Sequence, residues 1–222
     1  MILLILFLFV ALAFISLMFL DKQTYVIGGV IGFIGIILSV GLITANMANH
    51  FGMETKVTTH KSMMYSATNS KGYGVLLYQP VGTSGKENVY IYRKHEQDQK
   101  PTIVKPDLTM TTNRQEIAGN QAYRVIKDTR YVYKNDFWKL MFSIAGNDGE
   151  LKKRQVTYQL PQNWIALTTQ QAKNLQAKMT PKTDEEKAAV AQQQEALAEL
   201  AQNDPDQAGI KQVQQIKATL NI

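Results

Sequence analysis

No cysteine occurs anywhere in the sequence. That excludes disulfides, thiolate metal sites and a lipid-modified or palmitoylated cysteine anchor. Histidine is scarce: His50, His60 and His95 are the three. None sits in an HxxxH or HExxH pattern or beside a carboxylate cluster, so the spacings of a zinc site are missing. Formal charge is missing from the first fifty-three residues apart from Asp21 and Lys22. Ionisable side chains inside apolar runs are the usual mark of an ion or substrate pathway. Their absence here argues against a transporter or proton relay acting alone. Arginine is sparse as well, with five in the chain.

What fills the charge-free region is apolar. Residues 2–20 carry one polar side chain, Ser16. As a helix this run is about 28 Å long, close to the hydrocarbon core of a bilayer. Residues 25–45 add an uncharged run of about 31 Å. Each reads as a membrane span, and the DKQT link between them fits a tight turn between antiparallel helices. A cleaved signal peptide is the competing reading of the first run. It calls for a charged n-region and a short apolar core. The chain begins MILLILF, the run is long, no small-x-small pattern follows Leu20, and a second span comes at once. The hairpin is the better reading.

The second span carries Gly28, Gly32, Gly35 and Ser39 along one face, the small-xxx-small pattern that lets helix backbones approach closely in lipid. Ala11, Ala13 and Ser16 are small partners on the first span. The face therefore either packs the hairpin on itself or docks it onto a larger membrane protein or a second copy. A hairpin puts both ends of the region on one side. Lys22 in the turn against Lys56 and Lys61 beyond the second span is too small a difference to choose that side. The Thr-, Gln-, Asn-, Tyr- and Lys-rich texture that follows leans to an extracytoplasmic placement.

After a stalk over 49–70, period-two patterning predicts a β-rich soluble domain over 71–168. GVLLYQ and NVYIYR, flanking the turn-forming VGTSGKEN, predict a hairpin with Val89 and Ile91 on one face and Tyr90 and Tyr92 on the other. The polar, two-proline stretch 94–114 reads as a loop with at most a short edge strand. AYRVIKD and RYVYK read as strands around Asp128. FWKLMFSI reads as a strand with Trp138, Leu140, Phe142 and Ile144 on one face, and KRQVTYQLP as one with Val156, Tyr158 and Leu160 inward. Residues 164–167 complete the set. The fold class expected is membrane-anchored α+β: a transmembrane hairpin over 1–48, a small antiparallel sandwich or barrel, and C-terminal helices over 169–222. The last helices have a thin apolar face. Thr183 and Glu186 suggest a capping box at the start of one of them. They read as solvated or loosely docked.

Residues 50–181 hold nineteen Lys and Arg against ten Asp and Glu, net +9, while 182–222 are net −3. A basic surface attracts anionic polymers and headgroups. The densest run is Lys152, Lys153 and Arg154. No compact nucleic-acid-binding motif appears, and GTSGK is neither a nucleophile elbow nor a phosphate loop. Asp107, Glu116, Asp128 and Asp136 are scattered acids.

The two-span hairpin, LLYQPVGTSGKENVYIYR, and YVYKNDFWKLMFSIAGNDGELKKRQVTYQLPQNWIALTTQQAKNL together resemble a family of small membrane proteins of lactic acid bacteria, a domain of unknown function. The resemblance covers roughly residues 1–178. It implies a Gram-positive cell-envelope setting and an anchored architecture, and it carries no catalytic residue, cofactor or substrate. Three expectations follow. The first is a non-enzymatic anchored envelope protein, with the bilayer and an anionic wall polymer or lipid as partners. The second is an accessory subunit of a transporter or secretion complex, docked through the glycine face. The third is an envelope enzyme whose site is assembled from separated residues.

Overall fold

A computed structural model describes residues 1–21, 24–70, 72–82, 87–180 and 183–222. Lys22, the Thr83–Lys86 part of the GTSGK turn, and the Glu186 side chain of the expected capping box lie outside the described residues. The chain divides into two compact units, 1–58 with 128–152 and 59–127 with 153–222.

In the first unit, α1 (Ile2–Phe19) and α2 (Thr24–Asn49) are both long and apolar enough to cross a membrane. Their contact is made by small residues. A Cβ built on Gly32 would lie 2.7 Å from Ala13 Cβ and 2.8 Å from its backbone nitrogen. Gly28 faces Ser16 and Gly35 faces the Phe9 ring in the same way, while Gly41, on the same helix, meets nothing within 4 Å among the described residues. Ser16 and Ser39 are buried.

The same unit holds a correction. FWKLMFSI is not a strand: Asp136–Phe142 form α3, continued by a 3₁₀ turn over Ser143–Ala145. Asn135 caps it, its side chain accepting from the Trp138 N–H at 3.2 Å. Asp136 in the first turn favours the helix dipole. A run that is apolar on both sides satisfies period two and period 3.6 alike, and the cap decides. Ile2, Met53, Tyr133 and Phe142 form this unit's buried cluster, with Leu42, Ile43, Trp138 and Met141 packed on it.

The strands are β1 (Met53–Met63), β2 (Gly74–Val81), β3 (Glu87–Tyr92), β4 (Thr102–Val104), β5 (Met110–Ile117), β6 (Tyr123–Tyr133), β7 (Leu151–Pro161) and β8 (Trp164–Thr168). They form two four-stranded sheets, ordered β1-β6-β7-β5 and β4-β3-β2-β8. The boundary between the units falls inside β1, β6 and β7. The α+β class, two apolar helices followed by a β-rich domain and C-terminal helices, is as expected. β2 and β3 form the anticipated antiparallel pair, with Leu77 opposite Ile91. The sheets are mixed rather than purely antiparallel: β2 runs parallel to β8, and β5 parallel to β7. Periodicity fixes which face a strand buries and says nothing of its partner's direction. The 49–70 stretch, read as a stalk, contains β1, and the stretch read as a loop contains both β4 and β5.

The second unit is layered around the β4-β3-β2-β8 sheet. One face packs Leu76, Tyr90 and Tyr92 against Val156, Tyr158 and Leu160. The other packs Val75, Ile165 and Leu167 against Leu175 of α4 (Thr169–Met179) and Val213 and Ile216 of α6 (Pro205–Leu220). Covered on both faces, β2 is apolar at successive positions, as buried strands are. The expectation of loosely docked last helices is corrected for α6. Ala208, Gly209, Val213 and Ile216 are buried, and a Cβ on Gly209 would collide with the Gly72 carbonyl oxygen. Burial of Val213 and Ile216 contributes about 2 kcal/mol each. Between α4 and α6 lies α5 (Asp184–Asn203).

Candidate functional site

The densest set of interacting polar groups in the first unit lies where α2 ends. His50 follows the helix with φ of +55°, in the left-handed region that usually takes glycine or asparagine at this position. Its ring stacks on Tyr131, with centroids 3.5 Å apart and planes 12° from parallel. Its Nε2 lies 3.1 Å from Glu150 Oε2. The Lys152 ammonium sits over the same Tyr131 ring, 5.1 Å from its centroid. Gly52, with φ of +82°, lies against the Trp138 ring, where a Cβ would approach to 2.8 Å.

One turn earlier, Asn46 is fully buried. Its Nδ2 donates to the Phe51 carbonyl at 2.8 Å, and its Oδ1 accepts from Asn147 Nδ2 at 3.1 Å. The Tyr133 hydroxyl lies 2.7 Å from Asn147 Oδ1 and 2.8 Å from the Phe142 carbonyl. With a single proton it donates to one of them at a time. Burial pushes the Tyr133 phenol above its usual range, and the Asp148 carboxylate adds to the effect. Arg130 reaches the Gly149 carbonyl at 2.8 Å and Asp128 Oδ2 at 3.2 Å. Residues about a hundred positions apart in sequence thus fix the end of α2 to the turn before β7. A shallow cleft lined by Met47 and residues 145–150 adjoins them.

Chemically this is a joint. An imidazole–carboxylate pair can move a proton. Here, however, a face of the His50 ring is covered by Tyr131 and its Nε2 is held by Glu150. Among the described residues, no group of three His, Asp or Glu converges to hold a metal ion.

The glycine face is taken up within the hairpin, since Gly28, Gly32 and Gly35 meet α1. Lys152, Lys153 and Arg154 do not converge. Lys152 covers Tyr131. Lys153 points to the opposite strand face from its two neighbours. Arg154 helps hold the Asp107 carboxyl below its usual range, after the stronger effect of the Thr109 N–H and hydroxyl. His60 is exposed on β1, and the His95 N–H donates to Asp98 at 3.0 Å. Asp128 pairs with Arg130 rather than with another acid. Sequence reasoning missed Asn46, Tyr131, Tyr133, Asn147 and Glu150 as one group. The available signal was HFG after the second apolar run, since Gly52 marks the chain's exit from α2.

In the second unit, Arg124 lies beside the buried Tyr92 and Tyr158, and its charge and side chain partly offset the effect of burial on both phenols. Burial drives both phenols upward, Tyr158 the more strongly.

A family model described as a domain of unknown function, DUF4811, matches residues 21–175. The match runs from Asp21, ahead of α2, into α4 and takes in the whole joint. No curated protein and no solved structure matches the chain.

Proposed function

This chain belongs to the DUF4811 family, and we propose that it is a non-enzymatic membrane-anchored protein whose hairpin holds a basic β-rich domain outside the cytoplasm, against an anionic component of the cell envelope. One observation carries the reading. The unit with α1 and α2 has six Lys and Arg and six Asp and Glu, so its formal charge is zero. The other unit has eighteen against twelve, and the chain's entire +6 lies there. Within it, residues 59–127 and 153–181 hold fourteen basic side chains and five acidic ones. A neutral anchor and a cationic domain suit a partner rich in phosphate esters, whether wall polymer or lipid headgroup.

The placement is tested with a single cysteine. Leu108, between β4 and β5, is fully exposed, and the chain has no native cysteine to compete. A Leu108→Cys variant is expected to react with a membrane-impermeant maleimide in intact cells. Reaction only after lysis overturns the outer placement. Retention of the full chain, in detergent, on immobilised polyglycerol phosphate is expected to disappear at high salt, as exposed charge pairs are screened. Retention on phosphatidylglycerol nanodiscs alone would identify headgroups as the partner, and retention on neither would remove the anionic partner.

A further inference from the structure

We propose that α3 is an interfacial foot: the Phe137, Leu140 and Ile144 face inserts into the headgroup boundary of the bilayer that α1 and α2 cross. The inference rests on the anchored reading above.

The argument starts from the three sides of α3. Trp138, Met141 and Phe142 turn inward, with Phe142 buried against Ile2 and Tyr133. Asp136, Lys139 and Ser143 are exposed and polar. The third side is apolar and uncovered: Phe137 is 59%, Leu140 57% and Ile144 66% exposed. At 100° per residue Phe137 and Leu140 lie 60° apart on α3, and Ile144 follows in the 3₁₀ turn that continues it. Three neighbouring apolar side chains on one uncovered side form the kind of patch that marks an interaction surface.

The position of α3 puts the bilayer against this side. The amino group of Met1 donates to the Leu140 carbonyl at 3.0 Å. Helix α1 has 18 residues and is about 27 Å long, so when it spans the hydrocarbon its first residue sits at the water boundary. Trp138 and Met141 pack in one cluster with Ile2, Leu42 and Ile43, which belong to the two apolar runs. The outer side of α3 is therefore level with the ends of the spans. Its depth suits side chains that enter the headgroup layer.

The attraction is apolar rather than ionic. Residues 128–152 hold four basic and four acidic side chains, so the foot needs no anionic lipid. That separates it from the cationic domain, whose partner is anionic.

The test uses full-length protein in vesicles of phosphatidylcholine alone, and in an equal mixture with phosphatidylglycerol. Two single-cysteine variants carry an environment-sensitive fluorophore: Leu140→Cys on the foot and Ile34→Cys in mid-span. Lipids spin-labelled near the headgroup or near the chain end serve as quenchers. The Leu140 probe is expected to lose most of its emission to the headgroup quencher in both vesicle types. The Ile34 probe should answer the chain-end quencher. Quenching at Ile34 but not at Leu140 overturns the foot and leaves the anchor standing. No quenching at Ile34 overturns the anchor and the foot with it. Quenching at Leu140 only with phosphatidylglycerol present also overturns the proposal, because the contact would then be ionic.

Discussion

Gly32 and Gly74 both lie where a methyl group would collide, yet the neighbours differ in kind. Gly32 faces the backbone nitrogen and Cα of Ala13, at 2.8 and 2.9 Å from a built Cβ, whereas Gly74 faces the Trp164 ring. In the hairpin two backbones come together. In the β unit a large side chain covers a small one. On the proposed anchored reading, the contrast follows from the solvent each unit meets. Lipid gives no hydrophobic drive between helices, so the hairpin is held by close fit. Water expels the aromatic and aliphatic core of the β unit, which is held by burial. Charge follows the same division, with none in excess on the unit that holds the hairpin and +6 on the other.

The contrast breaks most visibly at Gly32. A Gly32→Leu substitution is expected to cost about 3 kcal/mol or more, because the obstruction is backbone and cannot rotate away. Gly41→Leu, on the same helix with open space around it, is the control and should be nearly neutral. Thermal unfolding of the two variants in mild detergent measures the difference. Equal stabilities would mean that the hairpin is not held by fit.

Next in size is the alkaline limit. Tyr73, Tyr92 and Tyr158, all in the second unit, are raised above the usual tyrosine value of 10.0 by burial, and in the first unit Tyr133 is raised as well. A folded-state value above the unfolded one means the native state keeps its protons longer. Its stability is complete below pH 10 and falls as pH rises above it. Tyr158 alone accounts for about 1.4 kcal/mol per pH unit until it ionises in the folded state. Denaturant midpoints followed by the fluorescence of Trp164 should fall above pH 10. A Tyr158→Phe variant should flatten the fall, and an unchanged slope would show that this phenol does not control it.

Much of this layout was legible beforehand, for identifiable reasons. The spans, the β2–β3 pair and the inward side of β7 are long apolar or strictly alternating runs, where one physical rule dominates. β1 was missed because METKVTTHKSM is an exposed edge strand with no apolar alternation to betray it, although its Val and Thr suit a strand. β5 was missed for the same reason: MTTNRQEI pairs through its backbone along β7 and buries little. The foot was misread because its apolar residues serve two faces. Asn135, the cap that separates helix from strand there, is a single residue outside the run. The joint was illegible in a stronger sense. His50 and Glu150 are a hundred positions apart, and nothing local ties an imidazole to a distant carboxylate.

Within the joint, hydrogen bonds and surface charge can be separated. Tyr133→Phe removes the hydroxyl that bonds Asn147 or the Phe142 carbonyl in a buried setting. It is expected to cost about 1.5 kcal/mol, since an acceptor is left unpaired.

Glu150→Gln should do far less. His50 is 19% exposed but Glu150 is 52% exposed, so water and salt screen their pairing. An exposed ion pair contributes at most about 1 kcal/mol, and glutamine keeps an oxygen that can accept from Nε2. The position of His50 is secured from other directions, by its stack on Tyr131 and its backbone bonds to Asn46 and Met53. The expected loss is below about 0.5 kcal/mol, read as a shift of less than a few degrees in the unfolding temperature of the full chain in detergent. A loss comparable to that of Tyr133→Phe would mean that the joint is held by charge. The hairpin unit would then owe its cohesion to the same force that sets the β domain apart, and the contrast between the two units would have to be redrawn.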